Sequence, residues 1–189
     1  VYGEQFLLKT KPNIAVLFAT FNGEAYLATQ LKSLQHQESV DVFIIASDDC
    51  SSDSTPQCLT KASALDQKII VLPTTKLGSA AANFFRLLRD VDLTHIDYVA
   101  LSDQDDIWHA DKLCHAVDMI SAKKVDAYSS NVTAFWPDGS QALINKSQPQ
   151  RQWDYMFESA GPGCTFVISK VLALDVQEFL VNHQVACQS

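Results

Sequence analysis

YVALSDQDDIWHADKL, residues 98–113, is the stretch that decides how this chain is read. Tyr98 to Leu101 is an apolar run of strand length, and it breaks directly into Ser102-Asp103-Gln104-Asp105-Asp106. Three carboxylates so close together repel one another, and they persist where they face water, bind a cation or share a proton. A helical pattern follows, with Leu113, Val117 and Ile120 in register. Strand, acidic turn and helix in that order put the carboxylates beyond a strand's C-terminal end, where open parallel sheets bind ligands. One reading is a site for a hard divalent cation, Mg²⁺ or Mn²⁺, held by one or two carboxylates together with substrate phosphates. The other is a solvated cap on the next helix.

Working outward, the same alternation recurs. Ile14 to Ala19 is an unbroken apolar run that stops at the turn-like Thr20-Phe21-Asn22-Gly23, and Leu27, Leu31 and Leu34 then mark one face of a helix. Val42 to Ala46 forms a second strand, closed by the polar loop Ser47 to Asp53, with Asp53 suited to cap the helix that follows. Asp48 and Asp49 read equally well as acceptors for a nucleobase N–H or ribose hydroxyl and as a solvated turn. Ile69 to Leu72 is a third strand, leading through Pro73 and Gly78 to a helix with Ala81, Phe84, Phe85 and Leu88 on its apolar side. Such β-α alternation predicts an α/β fold with a mainly parallel sheet and helices on both faces. Beyond residue 125 the order loosens. Ala127 to Phe135 reads as a strand, Pro137 to Gln152 as a long polar loop, Cys164 to Ser169 as a strand, and Leu172, Val176, Phe179 and Leu180 as a final helix face.

At 189 residues, 47% hydrophobic and 19% charged, the chain has the balance of one folded domain, drawn over 13–189 behind an extension at 1–12. A net charge of −8 argues against a general nucleic-acid surface. An acidic protein can still hold a nucleotide locally where a divalent cation stands between carboxylates and phosphates. Cys50, Cys58, Cys114, Cys164 and Cys187 are odd in number and lack C-x-x-C spacing, so they are expected as free thiols in a reducing compartment. No apolar run reaches the roughly 18–20 residues of a membrane helix. The expectation is a cytoplasmic protein.

Taken together, IAVLFATFNGEAYLATQLKSL (14–34), VFIIASDDCSSDST (42–55), LGSAAANFFRLL (77–88), the 98–113 stretch and GPGCTFVISKVL (161–172) resemble glycosyltransferase family 2, and within it the rhamnosyltransferase-like subgroup. The resemblance implies a GT-A (Rossmann-like) fold and a nucleoside-diphosphate sugar donor, with inversion at the anomeric carbon. The implied acceptor is a saccharide or lipid-linked glycan of a cell-surface polysaccharide, with peripheral attachment of the full-length protein at the inner face of the membrane. By the same resemblance Thr20, Asn22 and Glu24 line the nucleotide pocket, while Asp49 meets the base with Asp48 beside it. Asp103 and Asp105 hold Mn²⁺ or Mg²⁺, Asp105 the more directly, and Asp106 supports them. Trp108 packs near the donor sugar or in the core. Gly163, Cys164 and Thr165 border the acceptor side, Cys164 in a packing role.

Two positions depart from the family pattern. Where members often carry a basic residue before Asn83, this chain has Ala82, which leaves Lys76 or Arg86 to meet the diphosphate. The family's general base is expected after the acceptor segment, and no matching motif stands between Ser169 and Ser189. Asp175 and Glu178 read as surface charges on the last helix. The chain is therefore expected to be a fragment with its base beyond Ser189, or a non-catalytic nucleotide-sugar-binding module. A Mg²⁺-dependent nucleotidyltransferase is a further alternative, weakened because TFNGEAYL carries no Lys or Arg for a phosphate loop.

Overall fold

The computed structural model describes residues 11–146, 151–153, 159–183 and 185. Most of the expected N-terminal extension, and Cys187, lie outside the described residues. A central six-stranded sheet runs β3-β2-β1-β4-β8-β5. Its strands are β1 (Asn13–Thr20), β2 (Asp41–Asp48), β3 (Ile69–Val71), β4 (Tyr98–Ser102), β5 (Ala127–Tyr128) and β8 (Val167–Ser169). β1 is parallel to both β2 and β4, and β2 to β3; β8 alone enters antiparallel, between β4 and β5.

The unbroken apolar run of β1 is explained by this central position, because alternate residues feed two cores. Ile14, Val16 and Phe18 face helices α1 (Glu24–Gln35), α2 (Thr55–Leu65) and α4 (Lys112–Lys123), meeting Leu27, Leu59 and Leu113 among others. Ala15, Leu17 and Ala19 face α3 (Ala80–Asp90) and α5 (Lys170–Asn182), meeting Leu87, Leu88 and Ala173. Both faces of the sheet are covered, as an all-apolar strand requires.

Several expectations need correction. The strand expected over 127–135 is two: β5 ends at Tyr128, and β6 (Val132–Phe135) leaves the sheet to pair with β7 (Gln141–Ile144). The expected polar loop thus contains a strand, because Pro137-Asp138-Gly139 closes a hairpin. Gly139 adopts a φ of 84°, and Asp138 Oδ1 accepts from the Ser140 N–H at 2.9 Å. Residues 147–150 of that loop lie outside the described residues. Cys164 and Thr165, expected to open the last strand, belong to a 3-10 turn (Gly163–Thr165), and β8 begins at Val167.

On α3 the buried residues are Asn83, Arg86, Leu87 and Leu88, while Ala81 is exposed and Phe84 and Phe85 are only half-buried. Polar side chains win that face because the strand ends beneath it offer carbonyls. Asn83 Nδ2 donates to the Ser47 carbonyl at 2.9 Å, and Arg86 donates to Ser47 Oγ at 3.0 Å and to the Pro73 carbonyl at 2.6 Å. On α5, Phe179 is exposed and stacks on His183 with ring centroids 4.3 Å apart.

Candidate functional site

The parallel sheet brings the C-terminal ends of β1, β2 and β4 to one rim. Loop 20–24 and loop 48–55 are laced together there. Asn22 N donates to Ser51 Oγ and Asn22 Oδ1 accepts from Ser52 N, both at 2.8 Å. Gly23 N donates to Thr55 Oγ1 at 2.8 Å, and the Glu24 carboxylate accepts from Ser54 N at 3.1 Å. Asp53 bridges two helix starts, accepting from Glu24 N at 3.1 Å and Thr55 N at 3.0 Å. The cap position itself is Ser54, which corrects the expectation for Asp53.

Asp48 and Asp49 are both buried, so neither belongs to a solvated turn. Asp48 accepts from Thr20 Oγ1 at 3.0 Å and from Ser51 N at 2.9 Å. Asp49 takes the Leu77 and Gly78 amides, tying the β3–α3 loop to the end of β2. Gly78 has a φ of 84°, a left-handed conformation that suits glycine and turns both amides toward one carboxylate.

The acidic turn is positioned by a row of polar side chains that begins on α1 and ends just past it, at Gln37. Gln30 Nε2 donates to Ser102 Oγ at 2.8 Å, Ser33 Oγ accepts from Trp108 N at 3.1 Å, and Gln37 bonds the His109 carbonyl at 2.8 Å and Leu113 N at 3.1 Å. Gln104 brackets Phe21, its Oε1 accepting from Phe21 N and its Nε2 donating to Phe21 O, both at 2.8 Å. A Cβ on Gly23 would collide with the Gln104 side chain. None of Gln30, Ser33, Gln37 or Gln104 stands out as a site residue in the sequence. Their one signal is the i, i+3, i+7 spacing of the first three beside the apolar stripe of α1.

Two cavities flank the turn. A cleft of about 620 Å³ is lined by Thr20, Phe21, Asp49, Lys76, Asn83, Asp103 and Asp105, together with the first residues of α3. Of the expected donor-site residues, Thr20, Asp49 and Asp103 reach it, whereas Asn22, Glu24 and Asp48 brace its rim through the bonds above. Lys76 is the basic residue on its wall. Arg86 is not, because its guanidinium is spent on Ser47, Pro73 and, at 3.7 Å, Asp90. The second cavity, about 590 Å³, lies beyond Asp106 and is lined by Trp108, Lys112, Cys164 and Thr165 as well as the β6–β7 hairpin. Trp108 is buried there, with Lys112 Nζ 3.0 Å from its ring centroid. Gly163 lies close to the turn, and a Cβ there would sit 3.9 Å from Asp103 Oδ2.

Between the cavities Asp103, Asp106 and Cys164 bring their ligand atoms within 4.8 Å of one another. Burial, then the charges of Asp106 and Asp105, push the Asp103 carboxyl up to about 6. Burial also raises Asp106, whose Oδ2 is enclosed without a hydrogen-bond partner. Burial pulls Lys112 down to about 7, and its Nζ donates to the Cys164 carbonyl at 2.6 Å. Burial, then the charge of Asp106, lifts the Cys164 thiol to about 12. An unpaired buried acceptor costs about 1–3 kcal/mol, and on both carboxyls burial outweighs the opposing pull of Lys112. A hard divalent cation would answer both, so these residues fit one. The donors it favours are carboxylate oxygens, here those of Asp103, Asp105 and Asp106, rather than the Cys164 sulfur. The geometry sets Asp103 beside Asp106, with Asp105 exposed on the wall of the first cleft.

A mainly parallel α/β sheet with a cleft at its switch between β1 and β4, and an acidic turn on that cleft, is the arrangement of the GT-A fold. The sequence profile of glycosyl transferase family 2 matches residues 15–171. The chain is also 45% identical over 172 residues to the dTDP-rhamnosyl transferase RfbG of Shigella flexneri, a match covering 90% of this chain and 60% of that protein. The chain therefore belongs to glycosyl transferase family 2. Among solved structures, the mannosyltransferase PcManGT from Pyrobaculum calidifontis, in complex with GDP-Man and Mn²⁺, superposes with a TM-score of 0.64 at 16% identity, covering 89% of this chain and 47% of that one. TarS of S. aureus, residues 1–349 in complex with UDP-GlcNAc, superposes with a TM-score of 0.63 at 19% identity, covering 86% and 47%. Both likenesses establish the fold. The chain spans about 60% of the length of the Shigella relative. Among the described residues, no helix is long and apolar enough to cross a membrane.

Proposed function

We propose that this chain is the donor-binding part of an inverting glycosyltransferase that takes a nucleoside-diphosphate sugar and passes the sugar to a saccharide or lipid-linked acceptor of a cell-surface polysaccharide. The observation that carries the reading is the cleft in which Asp103 and Asp105 face Lys76 and the start of α3. A base would lie on the wall of Thr20, Phe21 and Asp49, and the diphosphate between Lys76 and the carboxylates. The dTDP-rhamnosyl transferase relative makes dTDP-rhamnose the first donor to try. Such an enzyme would work in the cytoplasm, at the inner face of the membrane where lipid-linked acceptors lie.

In the transfer an acceptor oxygen attacks the anomeric carbon, and the bond from that carbon to the diphosphate oxygen breaks with its electrons going to the nucleotide. Asp103, Asp105 and Asp106 would hold Mn²⁺ or Mg²⁺, which when bound supplies Lewis-acid stabilisation to the departing diphosphate. The protein's own contribution is positional. Gln30, Ser33 and Gln37 hold the acidic turn by its backbone, Gln104 locks it to Phe21, and Asp49 fixes the loop that carries Lys76. The proton of the acceptor hydroxyl needs a base, and Asp175 and Glu178, exposed on α5, do not offer one.

Calorimetric titration of the chain with dTDP, UDP and GDP, each with and without Mn²⁺, tests the reading. One diphosphate should bind at least ten-fold more tightly with metal, and Asp105→Ala should remove that gain. Binding that ignores metal in the unaltered chain would sink the proposal.

A further inference from the structure

The β6–β7 hairpin stands apart from the central sheet and presents two large aromatic residues, Phe135 at 56% exposure and Trp136 at 48%. Neither belongs to a core cluster. Both line the second cavity, together with Thr133, Gln141 and Thr165. Residues 103–105 line the nucleotide-side cleft and residues 106–108 line this cavity, so one acidic turn is the partition between them. A molecule seated by the hairpin therefore lies across the carboxylate cluster from a nucleotide.

The lining selects for a particular chemistry. A pyranose has a face of C–H groups and a rim of hydroxyls. Aromatic faces accept the first, while amide and hydroxyl side chains bond the second. A volume of about 590 Å³ suits one or two sugar units. We propose that Trp136 and Phe135 form the platform on which the acceptor saccharide stacks, with Thr133 and Gln141 reading its hydroxyls, so that the hairpin selects which sugar is extended. This inference rests on the donor reading above, which places the nucleotide on the other side of the turn.

Saturation-transfer NMR and tryptophan fluorescence titration decide it. The 189-residue chain, with dTDP and Mn²⁺ present, is titrated with methyl α-L-rhamnopyranoside, methyl α-D-glucopyranoside and methyl N-acetyl-β-D-glucosaminide. At least one glycoside should bind without displacing dTDP. Trp136→Ala should weaken it about ten-fold, the loss of roughly 1.4 kcal/mol of stacking. Trp136→Phe should keep most of the affinity, and dTDP should bind all variants equally. Trp136 and Phe135 are exposed, so the alanine variants are expected to fold, with unchanged melting as the check. The platform is overturned if Trp136→Ala and Phe135→Ala bind the glycoside as the parent does, if the glycoside competes with dTDP, or if dTDP binds and no glycoside does. Glycoside binding that survives while dTDP fails to bind would instead strike the donor reading and leave the platform standing.

Discussion

The two cavities on either side of Asp103–Asp106 are built by opposite means. In the cleft that Lys76 lines, the walls are strand-end loops whose polar side chains bond loop backbone: Asn22 Oδ1 accepts from Ser52 N, Asp53 from Thr55 N and Asp49 from Leu77 and Gly78 N, and Gln104 donates to Phe21 O. On the other side, one wall is a two-stranded hairpin outside the main sheet whose aromatic residues face solvent. The difference teaches where rigidity is placed. A cleft formed by β-α loops is over-determined by the sheet that carries them, whereas a hairpin wall can change its side chains with little consequence for the fold.

The sharpest way to break this comparison is at the turn both cavities share. Asp103→Ala should lower Mn²⁺-dependent nucleotide affinity by about 100-fold or more. The same change should leave stability unchanged or raised in the absence of metal, because it removes a carboxylate that burial and its acidic neighbours disfavour. Calorimetry and thermal melting measure the two arms. A large loss of stability would show that the carboxylate is structural.

Asp49→Ala should come next. Two loop amides lose a charged acceptor, at about 1 kcal/mol each, and Lys76 and Gly78 lose their fixed place on the cleft. Urea denaturation should show destabilisation of that order together with weaker nucleotide binding. Retained affinity would mean that the loop holds its shape without the clamp.

Gln104 and Gly23 give a smaller, coupled effect. Gly23→Ala alone should destabilise the chain because its methyl meets the Gln104 side chain, and in a Gln104→Ala background it should cost less. A double-mutant cycle with no coupling would show that the two loops adjust independently.

On the hairpin side, Phe135→Ser should change stability by no more than about 0.5 kcal/mol, the ordinary range for exposed positions. A larger loss in urea denaturation would place the hairpin in the folding core and erase the contrast.

The smallest effect lies away from both cavities. The hydrogen bond from Lys68, 2.9 Å from Asp41 Oδ1, holds the Asp41 carboxyl below its ordinary value of 3.8. Its contribution is complete above that value and is lost as pH falls through the lowered one. Asp41→Asn should therefore cost a little stability at neutral pH and nothing in strong acid, as melting curves across pH would show.

Much of this was legible in the residues themselves. The all-apolar run Ile14–Ala19 marks a central strand because only a strand covered on both faces can lack polar alternation. The β-α order implies a parallel sheet, and the position of Asp103 to Asp106 after a strand implies a ligand rim. The hairpin was obscured because its strands are half-polar and face water, so they carry no core periodicity, although Pro137-Asp138-Gly139 marks the turn. The burial of Asn83 and Arg86 on α3 has no apolar signal, because the phenylalanines beside them are more apolar and burial there follows hydrogen bonds to Ser47 and Pro73.

Sequence alone determined the succession of the first four strands along the chain, the rim at which polar loops gather and the kinship with glycosyl transferase family 2, since each rests on local pattern and chain order. Tertiary structure decided which carboxylates stand together, that Asp48 and Asp49 are buried in their own loops, and that one acidic turn divides two cavities. Those facts depend on hydrogen bonds between residues tens of positions apart, which no local pattern records.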